Sequence, residues 1–316
     1  MTNKRKLILL TIILAIVTVL FLTLGLNSRN WNYGLSRRLP MVAAILLTGS
    51  SIAFSSIIFQ TITNNRILTP SVLGLDSLYM FIQTFVIFVF GSLSIAASNR
   101  HINFVLSVGL MICFSILLFN FLFKREGNSV FFLLLVGMVF GTFFQSLSSF
   151  MQMVIDPNEF LIVQNRSFAS FSSINTNLLT ISFISIIGVF LLTFKDLKML
   201  DVISLGKDEA ISLGVNYDRV VKKMLIAVAV LISVSTALVG PITFLGILVA
   251  NLARQFIHSY KHKFLITGAI LISGVALVGG QLIAERVMNF STPISVIINF
   301  VGGMYFIYLL LRESRI

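Results

Sequence analysis

Few residues of this chain could do acid–base, nucleophilic or metal chemistry, and their spacing argues against each use. His258 and His262 stand four apart, which can place two imidazoles on one helical face to hold a metal. Lys261 and Lys263 stand beside them, and their ammonium groups would repel a cation, so both histidines are expected in a loop. Glu285 adjoins Arg286 at the end of an apolar run and reads as a surface ion pair. No pair of carboxylates lies inside an apolar run. That argues against an intramembrane hydrolase and against a proton-coupled carrier, which would bury an acid. The single Cys113 sits in an apolar run and reads as a small buried hydrophobe. There is no glycine-rich phosphate loop. No catalytic residue, metal site or cofactor is expected.

What remains is one dense stretch of charge. Between Lys195 and Lys223 lie Lys195, Asp196, Lys198, Asp201, Lys207, Asp208, Glu209, Asp218, Arg219, Lys222 and Lys223. Unpaired charges are costly in lipid, so this stretch must reach water. Within it Ala210, Leu213 and Val215 recur at roughly helical spacing beside Lys207, Asp208 and Glu209. The pattern predicts a short amphipathic helix ended by Gly214. Such a helix at a membrane face binds lipid headgroups or a partner protein. Its acids, Asp208 and Glu209, argue for the partner, because anionic lipid would repel them.

The elements that position this stretch follow from composition. Apolar residues make up 57% of the 316 and charged residues 11%; a soluble domain carries about a quarter charged. The chain is predicted to be an all-α polytopic membrane protein forming one domain over residues 1–316. Ten apolar runs could cross a bilayer, at about 7–26, 40–62, 73–96, 104–123, 130–151, 178–194, 224–238, 244–256, 264–283 and 295–311. The run at 244–256 is short for the roughly 20 residues of a full crossing. Residues 156–177 are polar at both ends and predict a short surface helix. Gly137 and Gly141 predict close helix packing. The net charge of +12 does not point to nucleic acid. With the N-terminus inside, Lys4, Arg5, Lys6, Arg66, Lys124, Arg125, Lys261, Lys263, Arg312, Arg315 and the 195–223 cluster share one side. Only Arg29, Arg37, Arg38, Arg100, Arg166 and Arg286 face the other. This is the positive-inside pattern, with both termini cytosolic. Gln60, Gln145 and Asn251 are polar, uncharged candidates for lining a translocation path.

Several segments resemble FecCD-type permeases, the membrane subunits of ABC importers for ferric siderophores, haem and cobalamin. SRRLPMVAAILLTGSSIAFSSIIFQTITNNRILTPSVLGLD is similar to their RLPR…Q…NPLA.P..LG signature. LGKDEAISLGV, GPITFLGILVANLARQF and STPISVIINFVGGMYFIYLLL resemble three later family segments, in order along nearly the whole chain. Departures occur at Met41, Arg66, Ala250-Asn251 and around Gln281 and Glu285. The Asn-Leu-Ala variant, Asn251-Leu252-Ala253, resembles permeases for catecholate siderophores such as anguibactin or petrobactin. The resemblance implies that Leu205, Gly206, Asp208, Glu209, Ala210, Leu213 and Gly214 couple to a cytosolic ATPase dimer. It implies that Arg37, Arg38 and Arg286 dock an extracellular substrate-binding lipoprotein. It implies that Asn65, Ile67, Ser129 and Val130 form a cytosolic gate. A second permease copy or a homologous permease completes the path, in contact with membrane lipid, in the cytoplasmic membrane of a bacterium. The cargo would be a ferric siderophore, and no nucleic acid is involved. Haem or cobalamin import stays open, as does an unrelated secondary transporter or exporter of amphipathic compounds.

Overall fold

A computed structural model describes residues 3–27, 30–123, 130–172, 174–289 and 292–313. Among them the chain forms α1 (Asn3–Thr23), α2 (Trp31–Ile62), α3 (Leu75–Phe90), α4 (Ile95–Ser98), α5 (Arg100–Phe123), α6 (Val130–Val154) and α7 (Pro157–Arg166). There follow α8 (Thr176–Thr193), α9 (Leu197–Ile203), α10 (Lys207–Ser212), α11 (Tyr217–Val239), α12 (Leu245–Phe256), α13 (His262–Arg286) and α14 (Ile294–Glu313). Tight 3-10 turns occupy Pro70–Leu73 and Phe194–Asp196. Helix is the form expected in lipid, because it pairs its own backbone groups where no water can. Eight of these helices are long and apolar enough to cross a membrane, and α3 and α12 are shorter apolar helices. Each of the ten predicted runs overlaps one of them.

The hub is α2. Every residue from Ser51 to Ile62 is buried, and α2 packs against α13, α11, α12 and α8. Small residues at Gly49, Ser51, Ala53, Ser55 and Ser56 let these neighbours approach closely. At the other extreme α1 and α8 present mostly exposed apolar side chains, among them Ile8, Ile16, Phe183, Ile184 and Leu191. No other part of the described chain covers these faces.

Gly137 and Gly141 do serve close packing. A Cβ on Gly137 would lie 2.9 Å from the Cα of Leu73, and one on Gly141 would lie 3.2 Å from the Cα of Gly74. The 3-10 turn before α3 therefore rests directly on α6. Other expectations need correction. The second span does not open at Pro40: α2 starts at Trp31 and carries Pro40 inside it. The third run stops at Gly91, whose φ of +78° ends α3, and the remainder forms a loop and α4. Cys113 is exposed on α5, not buried.

Candidate functional site

The charged stretch folds as an arm of two short helices at one end of the bundle. α9 seats it: Leu200 and Ile203 are buried, and α9 packs on α2 and α13. Lys223 pairs with Asp196 at 2.5 Å and closes the base of the arm. α10 begins after Gly206 (φ +127°) and ends before Gly214 (φ +83°), backbone values that favour glycine. Gly214 N–H donates to the Ile211 carbonyl (2.9 Å) and Val215 N–H to the Ala210 carbonyl (3.0 Å). This paired closure satisfies the last helical carbonyls, as Gly214 predicted. Asp208 and Glu209 occupy the first turn, where the helix dipole favours acids.

The apolar residues of the arm point two ways. Ala210 is fully buried against the body. Leu205, Ile211 and Leu213 face outward and are 61%, 51% and 64% exposed. The sequence pattern placed Ala210 and Leu213 on one face. Leu213 caps α10, its N–H still bonded to the Glu209 carbonyl (3.0 Å), and its side chain faces out while that of Ala210 faces in. Three large apolar side chains thus stand exposed at the end of a charged arm.

The histidine reading is overturned for His262. It is not a loop residue but the first residue of α13, buried at 2% exposure. Its backbone N–H donates to Asp201 Oδ1 (2.7 Å), and its Nδ1 lies 2.6 Å from the same oxygen. Its Nε2 lies 2.8 Å from Thr61 Oγ1 on α2. Asp201 therefore caps α13 from the arm, and one imidazole ties arm to hub. The sequence held one signal for this: Asp201 shares the apolar face of α9 with Leu197 and Leu200. Nothing local to His262 could have shown it.

At the same end, the turn after α2 is lashed by two side chains assigned to the path. Gln60 Nε2 donates to the Arg66 carbonyl (2.7 Å), and Asn251 Nδ2 donates to that same carbonyl (2.9 Å). Both side chains are buried, Gln60 at 2% exposure and Asn251 at 6%. They hold the turn in place, and Gln60 also lines a cavity of about 350 Å³ with Asn65, Arg66 and Arg254. Asn65 Oδ1 accepts from Ile67 N–H (2.9 Å), so both gate residues shape this exposed turn. Ser129 lies outside the described residues, as does the side chain of Val130. Gln145 is far from Gln60 in the chain and differently placed. With Thr142, Ser146 and Ser149 it forms an exposed polar stripe along the membrane-spanning α6. The offsets of three, four and seven put all four on one helical face.

At the opposite end Arg37, Arg38 and Arg286 share a cleft of about 600 Å³ with Glu285. Their states differ. Arg38 Nη1 donates to the carbonyls of Phe21 (2.9 Å), Leu22 (3.0 Å) and Leu24 (2.9 Å), capping α1. Arg286 also donates to the Leu24 carbonyl. Arg37 is exposed. Glu285 accepts from Gln281 Nε2 (3.1 Å) rather than pairing with Arg286, which corrects the expected ion pair.

Comparison with known proteins adds the relatives. A model described as the FecCD transport family matches residues 6–312. The petrobactin import system permease protein YclO of Bacillus subtilis (strain 168) is 59% identical over 319 residues, covering 100% of this chain and 99% of its own. The petrobactin import system permease protein FatC of Bacillus anthracis is 37% identical over 280 residues, covering 89% of this chain and 79% of its own. Among solved structures, a chain described as an inward-facing metal-chelate type ABC transporter superposes with a TM-score of 0.85. It is 23% identical and covers 98% of this chain and 99% of its own, a likeness of fold.

Proposed function

The chain belongs to the FecCD transport family, and from that premise we propose that it is the permease subunit of an ABC importer for a ferric siderophore of the petrobactin class. The observation that carries this reading is the arm. An exposed apolar triad on a charged arm, within and beside its glycine-bounded helix, has no use in the isolated chain. A groove in a cytosolic ATPase dimer would cover Leu205, Ile211 and Leu213 and meet Asp208 and Glu209 with basic residues. Asp201 and His262 would then carry movement of the arm to α13 and α2 through short hydrogen bonds. The turn at Asn65 and Ile67, hung from α2 by Gln60, is the element such movement would shift as a gate.

A second permease, identical or homologous, would cover the α6 stripe. Hydroxyls and an amide turned outward in mid-membrane suit a polar conduit between two subunits better than hydrocarbon. Gln145 would line that conduit without trapping an anionic chelate. On the outer side Arg37 is the arginine placed to receive an acidic residue of a binding protein, because Arg38 and Arg286 hold α1. The similarity to two petrobactin permeases supplies the substrate class. In a strain whose only siderophore is petrobactin, deleting the gene should abolish growth under iron limitation, and restoring it should recover growth. Undiminished growth on ferric petrobactin, with loss of haem or cobalamin use instead, would assign another chelate.

A further inference from the structure

A second cationic site lies away from the Arg37 cleft. Arg166 ends α7, and its guanidinium points into the bundle. Nη1 donates to Gln83 Oε1 (2.5 Å) and Nη2 to the Ala97 carbonyl (2.8 Å), both neutral acceptors. No carboxylate lies within ion-pair reach of it among the described residues. Burial pulls its pKa below the usual arginine value. Arg166 is half-buried, so its charge is only partly solvated, and an anion entering beside it would complete its pairing.

Room for that anion exists. Arg166 lines a pocket of about 240 Å³ together with Tyr79, Arg100, Asn103 and Asn175. Arg100 and Asn103 belong to the first turn of α5, and Asn175 caps α8. The pocket therefore sits where two membrane helices emerge, at headgroup depth. Its inner wall is apolar, with Leu178 of α8 and Leu238 of α11. Below it α5 and α8 both pack on α11. Their outer faces stay exposed and apolar, with Val105 at 64% and Ile184 at 66% exposure. A soluble anion would need only the polar half of this site. A lipid uses both halves, with its phosphate under the arginine fork and its acyl chains along α5 and α8.

We propose that the Arg166 pocket binds the phosphate of an anionic phospholipid. The site holds α3, α4 and α7 in register from the outer leaflet, and it does not depend on the identity of the transported chelate. The test is native mass spectrometry of the detergent-purified permease with phosphatidylglycerol, phosphatidylcholine or free glycerol phosphate. The wild type should retain phosphatidylglycerol about tenfold over phosphatidylcholine, because both offer a phosphate to the fork but choline brings a cation against Arg166 and Arg100. Arg166→Gln should remove that preference, Arg166→Lys should keep part of it, and glycerol phosphate should compete poorly. Should Arg166→Gln fail to fold, Arg100→Gln, at the rim of the pocket, should lower the preference instead. Unchanged lipid selectivity in both glutamine variants would overturn the proposal. So would full competition by glycerol phosphate, which would mark a soluble-anion site. So would weakened capture of a binding protein by Arg166→Gln with lipid retention intact, which would mark a docking acid.

Discussion

Leu213→Asp is the sharpest perturbation of the arm. Leu213 is 64% exposed and touches no core, so the isolated permease should fold and insert normally. Burying a leucine fully is favourable by roughly 1.5–3 kcal/mol, so covering the exposed part of Leu213 by a partner contributes about 1–2 kcal/mol. Leu205 and Ile211, at 61% and 51% exposure, contribute similar amounts, so the triad supplies about 3–5 kcal/mol of the contact. Leu213→Ala should then weaken association about five- to thirtyfold. The aspartate also leaves an unpaired charge in the contact, at a further cost of about 3 kcal/mol or more. Association should fall at least a thousandfold, on the order of complete uncoupling. The assay is co-purification of the ATPase with the permease, together with transport-stimulated ATP hydrolysis in membranes. Wild-type association in Leu213→Asp, with the protein present at normal levels, would refute the docking argument.

Three further outcomes follow from the geometry at the two ends of the bundle. Asp201→Ala leaves the His262 N–H and imidazole without their acceptor, at a cost of about 1–3 kcal/mol. The arm should loosen, seen as faster trypsin cutting at Lys198 and Lys207, whereas Asp201→Asn, which keeps one acceptor oxygen, should sit between; equal cutting in all three proteins would exclude the tie. Arg37→Glu should weaken capture of the binding protein about tenfold without lowering expression, a rim-charge effect that fades at high salt. Arg38→Glu should instead reduce the amount of folded protein, because it strips the cap from α1; the reverse pattern would show that the two arginines have exchanged roles.

The helices were legible because lipid imposes its own pattern. A run of some twenty apolar residues has no other common explanation, and each of the ten runs overlaps a helix. Some errors arose where the pattern was not apolar, and others, at Gly91 and Cys113, lay inside apolar runs. The polar turns from Trp31 to Leu39 looked like a loop, yet they continue α2 beyond the apolar run. The arm announced itself by charge, and Gly214 marked its end. The direction of Leu213 was hidden, because spacing shows which residues share a helical face but not how much of that face the body covers. His262 lay beyond reach for another reason. Its partners, Asp201 and Thr61, are 61 and 201 residues away in the chain, so only tertiary structure joins them. Gln60 and Asn251 show the same limit. Their polarity marked them as special, but the Arg66 carbonyl that they hold is a backbone group, invisible in side-chain patterns.

The central claim is that this chain passes a ferric siderophore through the membrane when, and only when, its arm engages a working ATPase. The direct measurement is uptake of iron-labelled petrobactin into proteoliposomes that contain the permease pair and its ATPase, with the binding protein outside and ATP inside. Uptake should require ATP and the binding protein, and Leu213→Asp in this chain should abolish it while the vesicles stay sealed. Equal uptake without ATP, or with Leu213→Asp in place, would contradict the account.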